Sequence, residues 1–369
     1  MTYKAYRYRI YPTPEQEENL AKTFGCVRYV YNRSLKYRQD AWYGRQENVS
    51  YFQNSALLTA WKKEPECAWL NDVSSVPLQQ VLRHLQTGFK NFFQGQTKYP
   101  NFKKKNNQQS ATYVSSAFKW DGESLKLAKQ SEPLNIRWSR KFDGNPSTVT
   151  VTKVPSGKYF VSLLVDEKIQ ALPVVNSTIG IDVGIKDVVV TSDGWKSGNP
   201  QYTNKYAIKL ARLQRRLSKN QKGSLNKAKA IKKVARIHEK IRDCRRDFTH
   251  KMTTALINEN QVISVENLAV KNMVKNPKLA KSISNANWGE LVGQLEYKAE
   301  WYGRKVIAID RFFPSSKRCS CCGYTLSHLD LSVRKWICPS CKKIHDRDIN
   351  AACNIKAAGL AMDCNSSAI

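Results

Sequence analysis

From residue 3 the chain reads YKAYRYRIYP, where apolar and polar side chains alternate with period two and predict a β-strand. TPEQ follows at once. Thr13 can cap a helix, Pro14 suits its first position and Gln16 can return the capping hydrogen bond, so a helix should begin at residue 14. Helical spacing then dominates to about residue 105. Within SSVPLQQVLRHLQTGFKNFF, Leu78, Val81, Leu82, Leu85, Phe89 and Phe92 share one face, and Gln79, Arg83, Gln86 and Lys90 share the opposite one. That polar stripe is either an ordinary solvated face or a surface that reads base edges, since Gln79, Gln80 and Arg83 are side-chain types able to do so. A basic segment with Lys103, Lys104 and Lys105 follows it.

Between residues 110 and 170 short alternating stretches, TVTVTKV and KYFVSLLV, lie between the turn signals FDGNPS and PSGK and predict a small β-barrel, which the first strand can complete. From Tyr206 to Lys251 two basic amphipathic helices should meet near KGS. Tyr206, Leu210, Leu213 and Leu217 seam one; Ile231, Val234, Ile237, Ile241, Cys244 and Phe248 seam the other. Their remaining faces, Arg215 and Arg216 included, are dominated by basic residues, as expected of a hairpin packed against nucleic acid. No fixed-period repeat is present, and residues 358–369 read as a disordered tail.

Charge changes this picture from a fold to a class of partner. Lys and Arg number 61 against 30 Asp and Glu, a formal charge of +31 spread along the chain and interleaved with 9 Trp, 17 Tyr and 12 Phe. Such a charge repels itself unless a polyanion neutralises it, and the aromatics suit base stacking. The N-terminus lacks a signal-peptide core and no apolar run reaches membrane-spanning length, so a cytoplasmic protein without a membrane partner is expected.

Of the ten cysteines, Cys26, Cys67, Cys244, Cys353 and Cys364 are scattered. Cys319, Cys322, Cys338 and Cys341 form two Cys-x-x-Cys pairs spaced for a tetrahedral, structural zinc ion, leaving Cys321 spare. A four-thiolate site has no open position, so chemistry must lie elsewhere. Asp182 lies within TIGIDVGI, Glu266 closes the apolar run VISVENL, and Asp348 precedes a helix in HDRDINAACNI. Carboxylates in such surroundings are expensive unless a cation compensates them, and three from separate segments suit a site holding two Mg²⁺ ions. Asp187 and Asp193 read as turn residues.

These motifs, IGIDVG, SVENL, FFPSSKRCSCCG and CPSCKKIHDRDINAACNI, with AYRYRIYPTPEQ at the start, resemble the TnpB family of transposon-encoded RNA-guided DNA endonucleases, akin to type V CRISPR effectors. The resemblance implies a multidomain α/β protein. A wedge-type β-barrel (1–12 and 109–175) would be interrupted by a helical recognition region (13–108). A RuvC-like, RNase H-type nuclease domain (176–318, with the basic hairpin at 204–258) would then resume at 343–357 after an inserted zinc ribbon (319–342). It assigns the catalytic acids to Asp182, Glu266 and Asp348, with Asp346 the competing candidate for the third. It implies a guide RNA, a double-stranded DNA target read beside a short adjacent motif, two Mg²⁺, one Zn²⁺ and a monomeric protein in the complex. Candidate nucleic-acid contacts are Gln79, Gln80, Arg83, Lys90, Lys103, Lys104, Lys105, Arg215 and Arg216. Two other readings compete. A nuclease-inactive RNA-guided repressor should lack one of the acids, and a DNA transposase with an RNase H-type triad should carry no guide RNA.

Overall fold

The alternating N-terminal stretch forms strand β1 (Thr2–Ile10) in the computed structural model, which describes residues 2–366. Tyr6, Tyr8 and Ile10 are buried on one face, while Arg7 on the other lies over the Phe160 ring at 4.0 Å. After it come helices α1 (Pro14–Arg45), α2 (Tyr51–Trp61) and α3 (Ser75–Phe93), then strands β2 (Gln109–Val114), β3 (Phe118–Trp120), β4 (Leu125–Leu127), β5 (Ile136–Arg137), β6 (Pro146–Lys153) and β7 (Tyr159–Glu167). Contacts divide the chain into two units. Met1–Lys168 with Gly223–Ala235 form the first, and Ile169–Lys222 with Arg236–Ile369 form the second.

In the first unit five strands pair antiparallel in the order β2-β6-β7-β1-β5, so β1 lies inside the sheet, with Tyr6 opposite Leu163. The barrel expectation is corrected in one respect. Between β2 and β5 there is no ladder among the described residues, because β5 offers only Ile136 and Arg137 and spends both on β1. The helix start is as its local chemistry dictates: Thr13 Oγ1 accepts the Gln16 backbone N–H at 3.2 Å, and Gln16 Oε1 accepts that of Thr13 at 3.1 Å. Leu78, Val81, Leu82, Leu85 and Phe89 of α3 are buried, each contributing roughly 1.5–3 kcal/mol, but Phe92 is only partly covered. Helical structure stops at Phe93 and does not reach residue 105. Gly95, at φ +69°, turns the chain out of register, and no helix forms before β2.

The second unit holds β8 (Thr178–Asp182), β9 (Val190–Thr191), α4 (Tyr202–Lys205), α5 (Ala207–Lys219), most of α6 (Leu225–Glu259), β10 (Val262–Glu266), α7 (Val270–Met273), α8 (Pro277–Ala286), α9 (Trp288–Tyr302), β11 (Lys305–Ile309), β12 (Lys335–Ile337), β13 (Ile344–Asp346) and α10 (Arg347–Ser366). Its main sheet runs β11-β10-β8-β9, the first three parallel. Ile181, Ile263 and Val265 from these strands are buried with Leu256, Leu291 and Leu295 in one core, as the unbroken apolar runs require of parallel strands. Glycines let α10 lie hard against the sheet. A Cβ on Gly180 would come within 2.1 Å of the Ala352 carbonyl oxygen, and one on Gly359 within 2.1 Å of Ser264 Oγ.

Three further expectations are corrected here. Residues 358–366 are not a disordered tail but the continuation of α10, held where Gly359 meets Ser264 and Lys305 pairs with Asp363; residues 367–369 lie outside the described part. The ribbon does not end at residue 342, because β12 and β13 pair antiparallel from Ile337–Ile344 to Lys335–Asp346 and feed directly into α10. In the basic hairpin α5 has no buried residue, and Ile231 of α6 is exposed; burial on that seam begins at Ile237 and Ile241. Among the described residues no helix is long and apolar enough to cross a membrane.

Candidate active site

Asp182 is the last residue of β8 and Glu266 the last of β10, and these are neighbouring parallel strands registered up to Ile181 opposite Val265. Both carboxylates therefore emerge at the same sheet end. Asp348 arrives from the third direction, in the first turn of α10. Burial first, then the charges of Glu266 and Asp348, push the Asp182 carboxyl up to about 8, against a smaller opposing pull from Arg347. The structure thus brings all three predicted acids into one electrostatic cluster. Ser315 Oγ donates to Glu266 Oε1 at 2.7 Å, and Arg334 Nη1 lies 3.7 Å from Asp348 Oδ1. A buried carboxyl facing two further carboxylates offers oxygen donors that suit hard divalent cations, whose charge offsets the repulsion at Asp182.

Asp346 does a different job. Its Oδ1 accepts the backbone N–H groups of Asp348 and Ile349 at 3.1 and 3.2 Å, and its Oδ2 pairs with Lys196 at 2.8 Å. Burial opposes its ionisation, but Lys196 and the helix N–H groups outweigh it and hold its carboxyl below the ordinary range. Asp346 caps the helix that presents Asp348. Asp187 and Asp193 serve turns, as read from sequence: the first accepts the Gly198 N–H and the second the Trp195 N–H and the Thr191 hydroxyl.

The Sγ atoms of Cys319, Cys322, Cys338 and Cys341 all lie within 4.8 Å of one another, with Cys319–Cys341 and Cys322–Cys338 at 3.6 Å. Sulfurs on a tetrahedral zinc are about 3.8 Å apart for the usual zinc–sulfur bond, so this cluster could hold that ion. The two knuckles are the same turn used twice. Gly323 N–H returns to the Cys319 carbonyl and Lys342 N–H to the Cys338 carbonyl, both at 2.9 Å, with φ of +81° and +63°. His345 Nε2 lies 3.0 Å from Cys319 Sγ, while Cys321 is exposed and outside the cluster.

The predicted nucleic-acid contacts fare unevenly. Gln79, Arg83 and Lys90 are exposed on α3 and Gln80 is half-buried. Arg83 lies over the Tyr51 ring at 5.1 Å, and Gln86 of the same stripe is engaged by Arg38 at 2.6 Å. Lys104, Lys105, Arg215 and Arg216 are exposed. Lys103 differs from its neighbours: its ammonium sits 4.8 Å from the centre of the Tyr31 ring, burial lowers its pKa, and its backbone N–H is held by Asn32. Sequence reasoning missed Ser315, Arg334, Asn350 and Asn354. The two asparagines carried a faint signal, lying four apart on one helical face of DINAACNI.

Three family models match along the chain: a "Helix-turn-helix domain" over residues 1–47, a "Probable transposase" over 160–277 and a "Cas12f1-like, TNB domain" over 288–355. Residues 2–45 form one strand and one helix, so the first description does not fit the local fold. A protein of Streptomyces pristinaespiralis named "Putative RNA-guided DNA endonuclease" is 52% identical over 97% of this chain and 90% of its own length. The protein of Escherichia coli K12 named "Putative RNA-guided DNA endonuclease InsQ" is 32% identical over 97% and 93%. Among solved structures, a chain of the Cas12f1–sgRNA–target DNA complex superposes with a TM-score of 0.55 at 17% identity, covering 93% of this chain and 83% of its own. The architecture is therefore a mixed α/β fold resembling that of Cas12f1. By identity along nearly its whole length, the chain belongs to the TnpB family, the OrfB family of IS605-type transposons.

Proposed function

We propose that this chain is an RNA-guided DNA endonuclease of an IS605-type transposon, hydrolysing a DNA phosphodiester at the carboxylate cluster. One observation carries the reading: Asp182 and Glu266 close the neighbouring parallel strands β8 and β10, Asp348 lies in the first turn of α10, and burial with the charges of Glu266 and Asp348 pushes the Asp182 carboxyl up to about 8. Carboxyls shifted this far by burial and by neighbouring charges cluster at functional sites. Asp182, Glu266 and Asp348 would hold two Mg²⁺, which when bound supply activation of a water nucleophile and charge neutralisation at the leaving oxygen. Cys319, Cys322, Cys338 and Cys341 would hold one structural Zn²⁺ that fixes the ribbon ahead of α10.

In this reading the first unit is the wedge and recognition region, and the +31 charge is met by guide RNA and target DNA. Base pairing selects the target, and the exposed Gln79 and Arg83, with Gln80, read the adjacent motif. Lys104, Lys105, Arg215 and Arg216 contact phosphates, and the protein acts as a monomer. The test is to purify the chain from a host carrying its locus, sequence the nucleic acid that accompanies it, and offer a matching plasmid with randomised flanks. Discrete RNA and Mg²⁺-dependent cutting beside one flank motif are expected. Transposon-end DNA in place of RNA, with strand joining, would make it a transposase instead.

A further inference from the structure

The segment leading into the ribbon, residues 313–320, spans the gap between the two clusters. Ser315 is 5% exposed; its hydroxyl donates to Glu266 Oε1 at 2.7 Å, and its carbonyl accepts Asn354 Nδ2 at 2.8 Å. The Arg318 carbonyl accepts both Asn354 Nδ2 at 2.6 Å and Asn350 Nδ2 at 2.7 Å, and Asn350 Oδ1 accepts the Ser320 N–H at 2.9 Å. Between Arg318 and Ser320 in the chain stands Cys319, a member of the thiol cluster. A tight turn, with Arg318 N–H returning to the Pro314 carbonyl at 3.0 Å, stiffens what lies between.

Asn350 and Asn354 are 2% and 5% exposed and lie one turn apart on α10, the helix that carries Asp348. Buried amides normally find partners wherever they can; these two donate three hydrogen bonds to carbonyls of one short segment and accept a fourth from its backbone N–H. The strapped segment then delivers a neutral hydroxyl to one oxygen of Glu266. A lysine there would fix the carboxylate too, but its charge would compete with a cation. A hydroxyl orients the group and leaves its remaining lone pairs free.

We infer that Ser315 is a positioning residue for Glu266, and that Asn350 and Asn354 hold it in place by tying the segment from Ser315 to Ser320 onto α10. The inference rests on the metal-binding reading of the three acids given above.

The test uses the full-length, guide-loaded protein titrated with Mn²⁺, read as loss of the free-ion electron paramagnetic resonance signal, with Glu266→Ala as the baseline for binding elsewhere. Ser315→Ala should weaken the Glu266-dependent binding roughly threefold to tenfold, the range expected for one lost hydrogen bond. Its zinc content and melting temperature should stay at wild-type values, and Ser315→Thr, which keeps the hydroxyl, should bind within twofold of wild type. Asn354→Asp, which replaces the amide donor with oxygen, should weaken Mn²⁺ binding to a similar degree. Wild-type Mn²⁺ affinity in Ser315→Ala, while Glu266→Ala loses the site, would overturn the inference, as would failure of Ser315→Thr to restore binding. If Glu266→Ala itself binds Mn²⁺ like wild type, the metal-binding reading falls first and this inference with it.

Discussion

The thiol cluster and the carboxylate cluster lie in one unit and both gather groups that repel when ionised, yet they are built in opposite ways. Each thiol pair stands on its own five-residue turn, closed by a backbone hydrogen bond and a residue at positive φ, Gly323 in one and Lys342 in the other. Four such ligands are close because each turn is local. The carboxylates have no local support of that kind. They meet only because β8 and β10 pair in parallel and because α10 is pressed onto both through Gly180 and Gly359. The thiol cluster should therefore fail when a ligand is lost, and the acid cluster when packing is lost.

The largest expected effect falls on the thiols. Cys338→Ser should lower bound zinc from one ion per chain to none and unfold the ribbon, since structural zinc sites carry much of the folding free energy of the modules they close. Cys321→Ser should keep the full ion. Zinc counted by atomic emission decides it, and equal loss in both variants would mean the ligand set is wrong.

Next is the seat of α10. A Cβ at Gly180 would lie 2.1 Å from the Ala352 carbonyl oxygen and 2.5 Å from the Lys356 nitrogen, backbone atoms that cannot swing aside. Gly180→Ala should destabilise by about 3 kcal/mol and impair cleavage while zinc remains bound. Coincident loss of zinc at temperatures where the protein is still folded would show that the two clusters are not built independently in this sense.

A smaller effect sharpens the comparison from the side of positive charge. Lys298 is buried with no carboxylate partner among the described residues, its ammonium donating to the His250 carbonyl at 3.0 Å and to the Thr253 and Thr254 hydroxyls at 2.7 and 2.8 Å; burial lowers its pKa to about 8. Between pH 8 and the ordinary lysine value near 10.4 the unfolded chain binds more protons than the folded one, so this group makes stability rise with pH across that window. Lys298→Met should remove roughly 3 °C of the change in melting temperature between pH 8 and pH 10, measured against wild type. An identical pH dependence in both proteins would show that Lys298 titrates normally.

What could be read from the residues alone follows the same division. The Thr13 capping box, the period-two start and the cysteine knuckles are local chemistry, and each is found where its spacing puts it. Asp182 was legible as a carboxylate inside the apolar stretch TIGIDVGI and Glu266 as one closing VISVENL. Asp346 and Asp348 stand two residues apart at the start of α10, where the family resemblance favours Asp348 as the third acid, and only the N–H groups reaching Asp346 Oδ1 reveal Asp346 as the cap. Ser315 was hidden, and Asn350 and Asn354 showed no more than their four-residue spacing, because their roles rest on contacts across long sequence separation. The run from residue 358 to 366 misled for a similar reason: its order comes from Gly359 against Ser264 and from Asp363 with Lys305, neither visible in the tail itself.

The most direct test of the account is cleavage of a matched plasmid by guide-loaded protein in Mg²⁺, comparing Asp182→Ala, Glu266→Ala, Asp348→Ala and Asp346→Ala, with target binding measured alongside. The first three should lose at least about a thousandfold in rate, the scale set by removing a ligand that stabilises charge in the transition state, yet bind target nearly as well as wild type. Asp346→Ala, which removes a helix cap and an ion pair, should cut at a reduced rate. Full cutting by Asp348→Ala with none by Asp346→Ala would contradict the assignment of the site.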